Sequence, residues 1–159
     1  MESQREKIFG NIMSELNIQF EPEILPGANY VVAQIHANQI YVIGQLPRQN
    51  GKLMAEGAVG RDLNLIEARF AAEVSALRIV AILRQALGNL DRLEQLLKLN
   101  VVVQSATHFT QQSEIADAAS GIFYRIFGAQ GTHARTTIGV IQLPKNGAVE
   151  IDLLAAIYA

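Results

Sequence analysis

Residues 132–155, "THARTTIGVIQLPKNGAVEIDLLA", carry two runs in which apolar and polar side chains alternate. Strict alternation is the signature of a half-buried strand. Asn146-Gly147 between the runs is a strong hairpin-turn signal, so the stretch predicts paired strands over 136–143 and 148–157. Two charges stand out against this pattern. Arg135 lies at the entrance of the first run, and Glu150 sits between Val149 and Ile151 in the second. A charge beside a strand core costs free energy unless it is solvated, paired or used. These two residues are the first candidates for function.

Upstream, "FTQQSEIADAASGIFYRIFG" (109–128) predicts a long helix, with Ile115, Ala119, Ile122 and Ile126 on its inner side and Gly128 as its stop. Residues 92–105 contain Val101-Val102-Val103, which predicts a well-buried strand. The clearest helix lies before it. Asn64 caps it, Glu67 completes a capping box, and Gly88 stands past its end. Phe70, Val74, Leu77, Ala81 and Leu83 form its expected buried stripe, with Arg78 and Arg84 facing water.

The polar stretch 48–62 predicts a loop with at most one short strand, and "NYVVAQIHANQIYVIGQLP" (29–47) a hairpin with strands near 30–36 and 39–45. "EPEILPGA" (21–28) is a connector, and residues 2–17 an amphipathic helix through Ile8, Ile12 and Leu16. Strands that come in hairpins, rather than one for one with helices, favour an α+β fold over a doubly wound sheet.

The 159 residues suit one domain with a substantial core. Thirteen Lys and Arg against fifteen Asp and Glu, without a basic run, weigh against binding to nucleic acid. The absence of cysteine removes disulfides, thiolate nucleophiles and thiolate-bound metals. His36, His108 and His133 lack metal-ligand spacing, and surface or loop positions are their plainest account. "GAVGRD" (57–62) lacks the Lys-Ser/Thr of a phosphate loop and is best explained as a turn into the helix. No stretch approaches the apolar length of a membrane span, which predicts a soluble, cytoplasmic protein.

A guanidinium at position 135 matches a carboxylate in two parallel hydrogen bonds. On spacing alone a structural ion pair, with Glu150 or another acid, remains the simpler account. A partly buried Glu150 can position water and exchange protons with it, whereas an exposed edge-strand glutamate cannot be distinguished by pattern. Tyr30 is expected to open the first strand, packing its ring with a solvated hydroxyl.

The same stretches resemble the signature of the YjgF/Rid family of enamine/imine deaminases, also called endoribonuclease L-PSP or translation inhibitor. The resemblance lies in Ala134-Arg135, "TTIGVIQLP" and Val149-Glu150-Ile151, in "IYVIGQLP" (40–47), and in "ANY" (28–30). It covers roughly residues 28–157 within one domain spanning 1–159, and leaves 1–27 as an additional helix and connector. It implies a chorismate-mutase-like α+β fold with a mixed sheet and two long helices on one face, assembled as a homotrimer with clefts between subunits.

In such a cleft, the resemblance implies that Arg135 binds the carboxylate of a 2-imino acid, with Gly44 and Thr137 lining the site through their backbones. It further implies that Tyr30 closes the cleft, that Glu150 places water, and that Ser120 stands near a position often occupied by asparagine. The implied reaction is hydrolytic deamination without cofactor or metal. His133 stands where proline is usual, Thr137 where cysteine is frequent, and Ile43 where serine precedes the glycine. These departures resemble a divergent subgroup. Two other functions remain: a trimeric small-carboxylate binder without turnover, and RNA cleavage or translation inhibition, which the acidic balance disfavours.

Overall fold

A computed structural model describes residues 3–159. Its elements in chain order are α1 (Gln4–Glu15), β1 (Ala33–His36), β2 (Gln39–Gln45), β3 (Arg48–Gln49), β4 (Lys52–Leu53), α2 (Leu65–Leu87), β5 (Leu93–Gln104), α3 (Gln112–Phe127), β6 (Ala134–Val140) and β7 (Val149–Ile157). Five strands form a mixed sheet in the order β1-β2-β7-β5-β6, while β3 and β4 make a separate two-stranded ribbon. All neighbours are antiparallel except β5 and β6. The fold is α+β, with α2 and α3 on one face.

The alternation along β7 is complete: Val149, Ile151, Leu153, Ala155 and Ile157 are buried, and each residue between them is half-exposed. The buried set joins Leu96, Leu99, Val101 and Val103 of β5 beneath the two long helices. Fully burying side chains of this size contributes about 1.5–3 kcal/mol each. The opposite sheet face carries Glu150, Asp152, Asn100 and Lys98, and among the described residues no helix covers it. There Asn100 Nδ2 donates to Asp152 Oδ1 at 2.8 Å, and Lys98 donates to Thr136 Oγ1.

The predicted hairpin of 136–143 with 148–157 does not form. β5 lies between β6 and β7 and pairs with both, parallel to the first and antiparallel to the second. Asn146-Gly147 does lie at a turn, with positive φ at Lys145 and Asn146, but that turn belongs to a crossover past the end of β5. Buried Gln104 anchors the crossover. Its Oε1 accepts from Leu143 N (2.7 Å) and Gln142 Nε2 (3.1 Å), and its Nε2 donates to Asn146 Oδ1 (2.7 Å). Local turn chemistry was satisfied, but the long apolar β5 provides the better neighbour for each strand.

The helix ends follow the sequence closely. Asn64 and Glu67 complete the capping box of α2, and Gly88 closes it in the left-handed region at φ 76°. α1 starts at Gln4, capped by Ser3, within the predicted 2–17; residue 2 lies outside the described residues. The first strand begins at Ala33 rather than 30, so Tyr30 belongs to the connector, where its N–H donates to Ala28 O. The loop after β2 holds two short strands instead of one.

α2 also departs from its expected stripe. Phe70 is partly exposed, whereas Val74 through Val80 are buried almost all round, because the sheet, α3 and the N-terminal segment enclose the helix. Arg78, expected to face water, is only 4% exposed. Its guanidinium meets Glu21 through Nη2–Oε1 at 3.0 Å and Nη1–Oε2 at 3.3 Å. It also donates to Gln45 Oε1 and Arg48 O, and lies over the Phe20 ring. Arg84 faces solvent as expected and stacks on Phe9 of α1.

The Arg78–Glu21 pair ties the connector to α2. Gln85, two turns further along α2, pairs with both backbone groups of Ile24. α1 in turn packs Phe9 and Ile12 against the helical layer, while Arg5 donates to the carbonyls of Leu90 and Leu93. The extra helix therefore covers one end of the helical layer, away from the open sheet face.

Burial pushes the Glu21 carboxyl up, but hydrogen bonds from Arg78 and from backbone N–H groups, with the charge of Arg78, outweigh it and leave the pKa lowered. Its contribution is therefore present above the ordinary carboxylate range and lost as pH falls through the folded value. Glu21→Ala leaves Arg78 buried without a counter-charge and should destabilise the chain by about 3 kcal/mol in urea titrations at pH 7. The gap to wild type should narrow below about pH 4.

Candidate functional site

Glu150 projects from the open sheet face beside an irregularity in β2, where the register to β7 shifts between Val42 and Gln45. Gly44 sits in that irregularity. A Cβ placed there would lie 2.9 Å from Glu150 Cγ, so a glycine is what lets the carboxylate rest against the β2 backbone. A cleft of about 600 Å³ opens here between the connector, the β2 end and Pro144–Lys145. Tyr30, 53% exposed, forms part of its wall, with Ile43 and Glu150. Burial raises the Glu150 pKa, and the nearby negative charge of Asp152 raises it further.

Arg135 belongs to a different cleft. It enters from β6 and points at α3, where Nη1 donates to Asp117 Oδ1 (2.9 Å) and Ser120 Oγ (3.1 Å). Ser120, 5% exposed, also meets His133 Nε2 at 2.9 Å, and His133 Nδ1 meets Gly131 O at 2.7 Å. A carbonyl oxygen only accepts, so Nδ1 carries the proton. In the neutral ring Nε2 then accepts from the Ser120 hydroxyl, whose lone pairs face Arg135. Tyr124 stacks on His133 with ring centroids 5.5 Å apart. Asp117, Ser120, Gly121, Tyr124, His133 and Arg135 line a cleft of about 550 Å³.

Sheet geometry keeps the two charged residues apart within one chain. Leu99 of β5 pairs with both Arg135 and Leu153, so Arg135 lies on the helix face, level with Leu153. Glu150 is three residues from Leu153 and therefore on the other face. Two strand spacings and three residues of rise separate their backbones by about 14 Å. Thr137 shares the face of Arg135, on an edge strand whose outer row of backbone groups has no partner among the described residues.

Comparison with known proteins gives the family. Residues 19–157 match the family described as "YjgF/chorismate_mutase-like, putative endoribonuclease". The chain belongs to the YjgF/chorismate-mutase-like family. Protein TCP17 of Trypanosoma cruzi is 39% identical over 143 residues, 89% of each chain. The crystal structure of Atu1372 from Agrobacterium tumefaciens, described as having unknown function, is 36% identical with a TM-score of 0.85, over 97% of this chain and 95% of that one. A structure from Shewanella oneidensis, described as a "putative endoribonuclease", is 26% identical with a TM-score of 0.86, over 94% of this chain and 99% of that one. α1 precedes the region that the family description covers.

Within this family member, Tyr30, Gly44 and Glu150 share one cleft, and Arg135 and Ser120 share the other. The ion pair between Arg135 and Glu150 that spacing allowed is absent; Asp117 is the partner. His133 is no plain loop histidine, since both ring nitrogens are engaged at the Arg135 cleft, whereas His36 and His108 are exposed. Asp117 and Tyr124 escaped the sequence reading, although their helical spacing from Ser120 places all three on one side of α3. Among the described residues no group of three or more metal-ligating side chains converges.

The raised pKa of Glu150 gives a signed prediction. Its ionised form is disfavoured in the folded state, so a penalty appears as pH rises through the ordinary carboxylate range and persists above the folded pKa. Glu150→Gln should raise the thermal midpoint at pH 7, and the gain should vanish below about pH 4. Gly44→Ala should displace the flexible carboxylate at a cost within about 1–3 kcal/mol. A Gly44→Ala effect that persists undiminished in a Glu150→Ala background would show that the close approach is not its cause.

Proposed function

We propose that this protein hydrolyses reactive 2-enamine and 2-imine acids to 2-keto acids and ammonia, at clefts completed between the subunits of a homotrimer. The observation that carries the reading is Glu150: a half-buried carboxyl with a raised pKa, seated against Gly44 in a cleft walled by Tyr30. Such a group takes up and returns a proton more readily than an exposed carboxylate does. Arg135 supplies the other requirement, a fixed cation for the substrate carboxylate. The two lie on opposite faces in one chain, so a shared site needs the Arg135 cleft of one copy beside the Glu150 cleft of the next. The uncovered sheet face and the unpaired β6 edge support such an assembly.

The chemistry asks for orientation and proton control rather than a strong nucleophile. In the protonated imine, C2 is already electrophilic. Water held by Glu150 adds to C2, the C=N π electrons move to nitrogen, and Glu150 accepts the proton that water gives up. The resulting carbinolamine is protonated on nitrogen through the same carboxyl. Glu150, ionised again, takes the hydroxyl proton as an oxygen lone pair forms C=O, the C–N bond breaks with its electrons staying on nitrogen, and ammonia departs. Arg135 holds the carboxylate throughout, with backbone groups at Gly44 and Thr137 as further donors and acceptors.

Imine generated in place by an amino-acid oxidase, with semicarbazide as the competing trap, tests this directly. Wild type should accelerate keto-acid formation, with Arg135→Ala and Glu150→Gln each reducing the effect by about a hundredfold or more. Light scattering should give three times the chain mass. Carboxylate binding that needs Arg135 but ignores Glu150, without turnover of small, branched or aromatic imines, would make the protein a binder instead.

A further inference from the structure

Arg135 is not a bare cation. Asp117 stands one helical turn before Ser120 on α3, and its Oδ1 accepts from Arg135 Nη1 at 2.9 Å while the carboxylate remains 60% exposed. Among the described residues, Asp117 Oδ2 enters no hydrogen bond, and neither does Arg135 Nε; Arg135 Nη2 reaches only Ser113 O, at 3.5 Å. The pair therefore offers the 550 Å³ cleft a free cationic edge beside a free anionic oxygen.

The guanidinium is held in that relation. Ser120 accepts from Nη1 and is itself tied to His133, which the Gly131 carbonyl and the Tyr124 ring keep in place. Arg135 thus cannot turn away from Asp117 without breaking a chain of partly buried hydrogen bonds.

A simple carboxylate entering this cleft is drawn by Arg135 and repelled by Asp117 at nearly the same range, so much of the attraction cancels. A ligand with a carboxylate and a cationic nitrogen on the adjacent carbon meets both charges favourably. We propose that Arg135 and Asp117 form a zwitterion clamp, the arginine binding the carboxylate and Asp117 the protonated nitrogen. This deepens the proposed function and rests on its use of Arg135 as the carboxylate anchor. A 2-iminium acid carries both charges, whereas its 2-keto product has lost the nitrogen. Asp117 then faces an uncompensated anion, which favours substrate entry over product retention.

Alanine and pyruvate are suitable probes, since they share a carbon skeleton and differ in the group at C2. Titration calorimetry on the full chain should show wild type binding alanine at least about tenfold tighter than pyruvate. Asp117→Asn keeps an amide oxygen for Arg135 and removes the charge. It should abolish or invert the preference, through weaker alanine and stronger pyruvate binding, with an unchanged circular dichroism spectrum. Arg135→Ala should lose both ligands.

Equal or tighter pyruvate binding by wild type, a preference unaltered in Asp117→Asn, or no binding of either probe would overturn the clamp. Imine hydrolysis that persists beside any of those results would keep the deaminase reading and remove Asp117 from it. An Asp117-dependent preference without imine hydrolysis would uphold the clamp and make its ligand a bound amino acid.

Discussion

The double pairing of β5 is the constraint on which the rest depends. Twelve residues long and apolar toward the helices, it takes β6 on one side and β7 on the other. That choice separates two strands that are neighbours in sequence. It also sends Arg135 toward α3 and Glu150 onto the uncovered face, since a shift of three residues along a pleat reverses the side-chain direction. One chain therefore holds Arg135 and Glu150 in separate clefts, and the proposed shared site needs two copies of the chain.

Around this sheet, polar interactions fix segments that apolar packing alone would leave in several positions. Gln104 satisfies three groups of the crossover into β7 from a nearly fully buried position. Arg78 does the same for the connector, gathering Glu21, Gln45 and the Arg48 carbonyl at the end of the Glu150 cleft. Buried ionic groups of this kind contribute little net stability compared with apolar replacements, but they penalise every arrangement that leaves them unpaired. Here the connector that carries Tyr30 is held by that penalty.

The two clefts have complementary electrostatic characters. At Glu150 a carboxyl is desolvated and crowded by Asp152, which favours its neutral form and suits it to proton exchange. At Arg135 a permanent cation is balanced by Asp117 and steadied by Ser120 and His133, the arrangement on which the proposed zwitterion clamp rests. In the proposed reaction, orientation by one and proton transfer by the other is the division of labour, because the carbon of an imine needs little activation.

Capping, periodicity and burial were legible in the sequence. Asn64, Glu67 and Gly88 set the ends of α2, the alternation along 149–157 set the buried face of β7, and the motif around Arg135 and Glu150 marked the family. These are local properties, written in the spacing of a few residues. Which strands pair is not local: Asn146-Gly147 met its turn geometry, yet β6 and β7 chose β5, because burying long apolar strands outweighs a two-residue preference. For the same reason only the tertiary structure decided that Arg78 is buried, that His133 serves Ser120, and that the partner of Arg135 is Asp117 rather than Glu150. Each depends on which face of one element meets another, which the pattern within a single element does not contain.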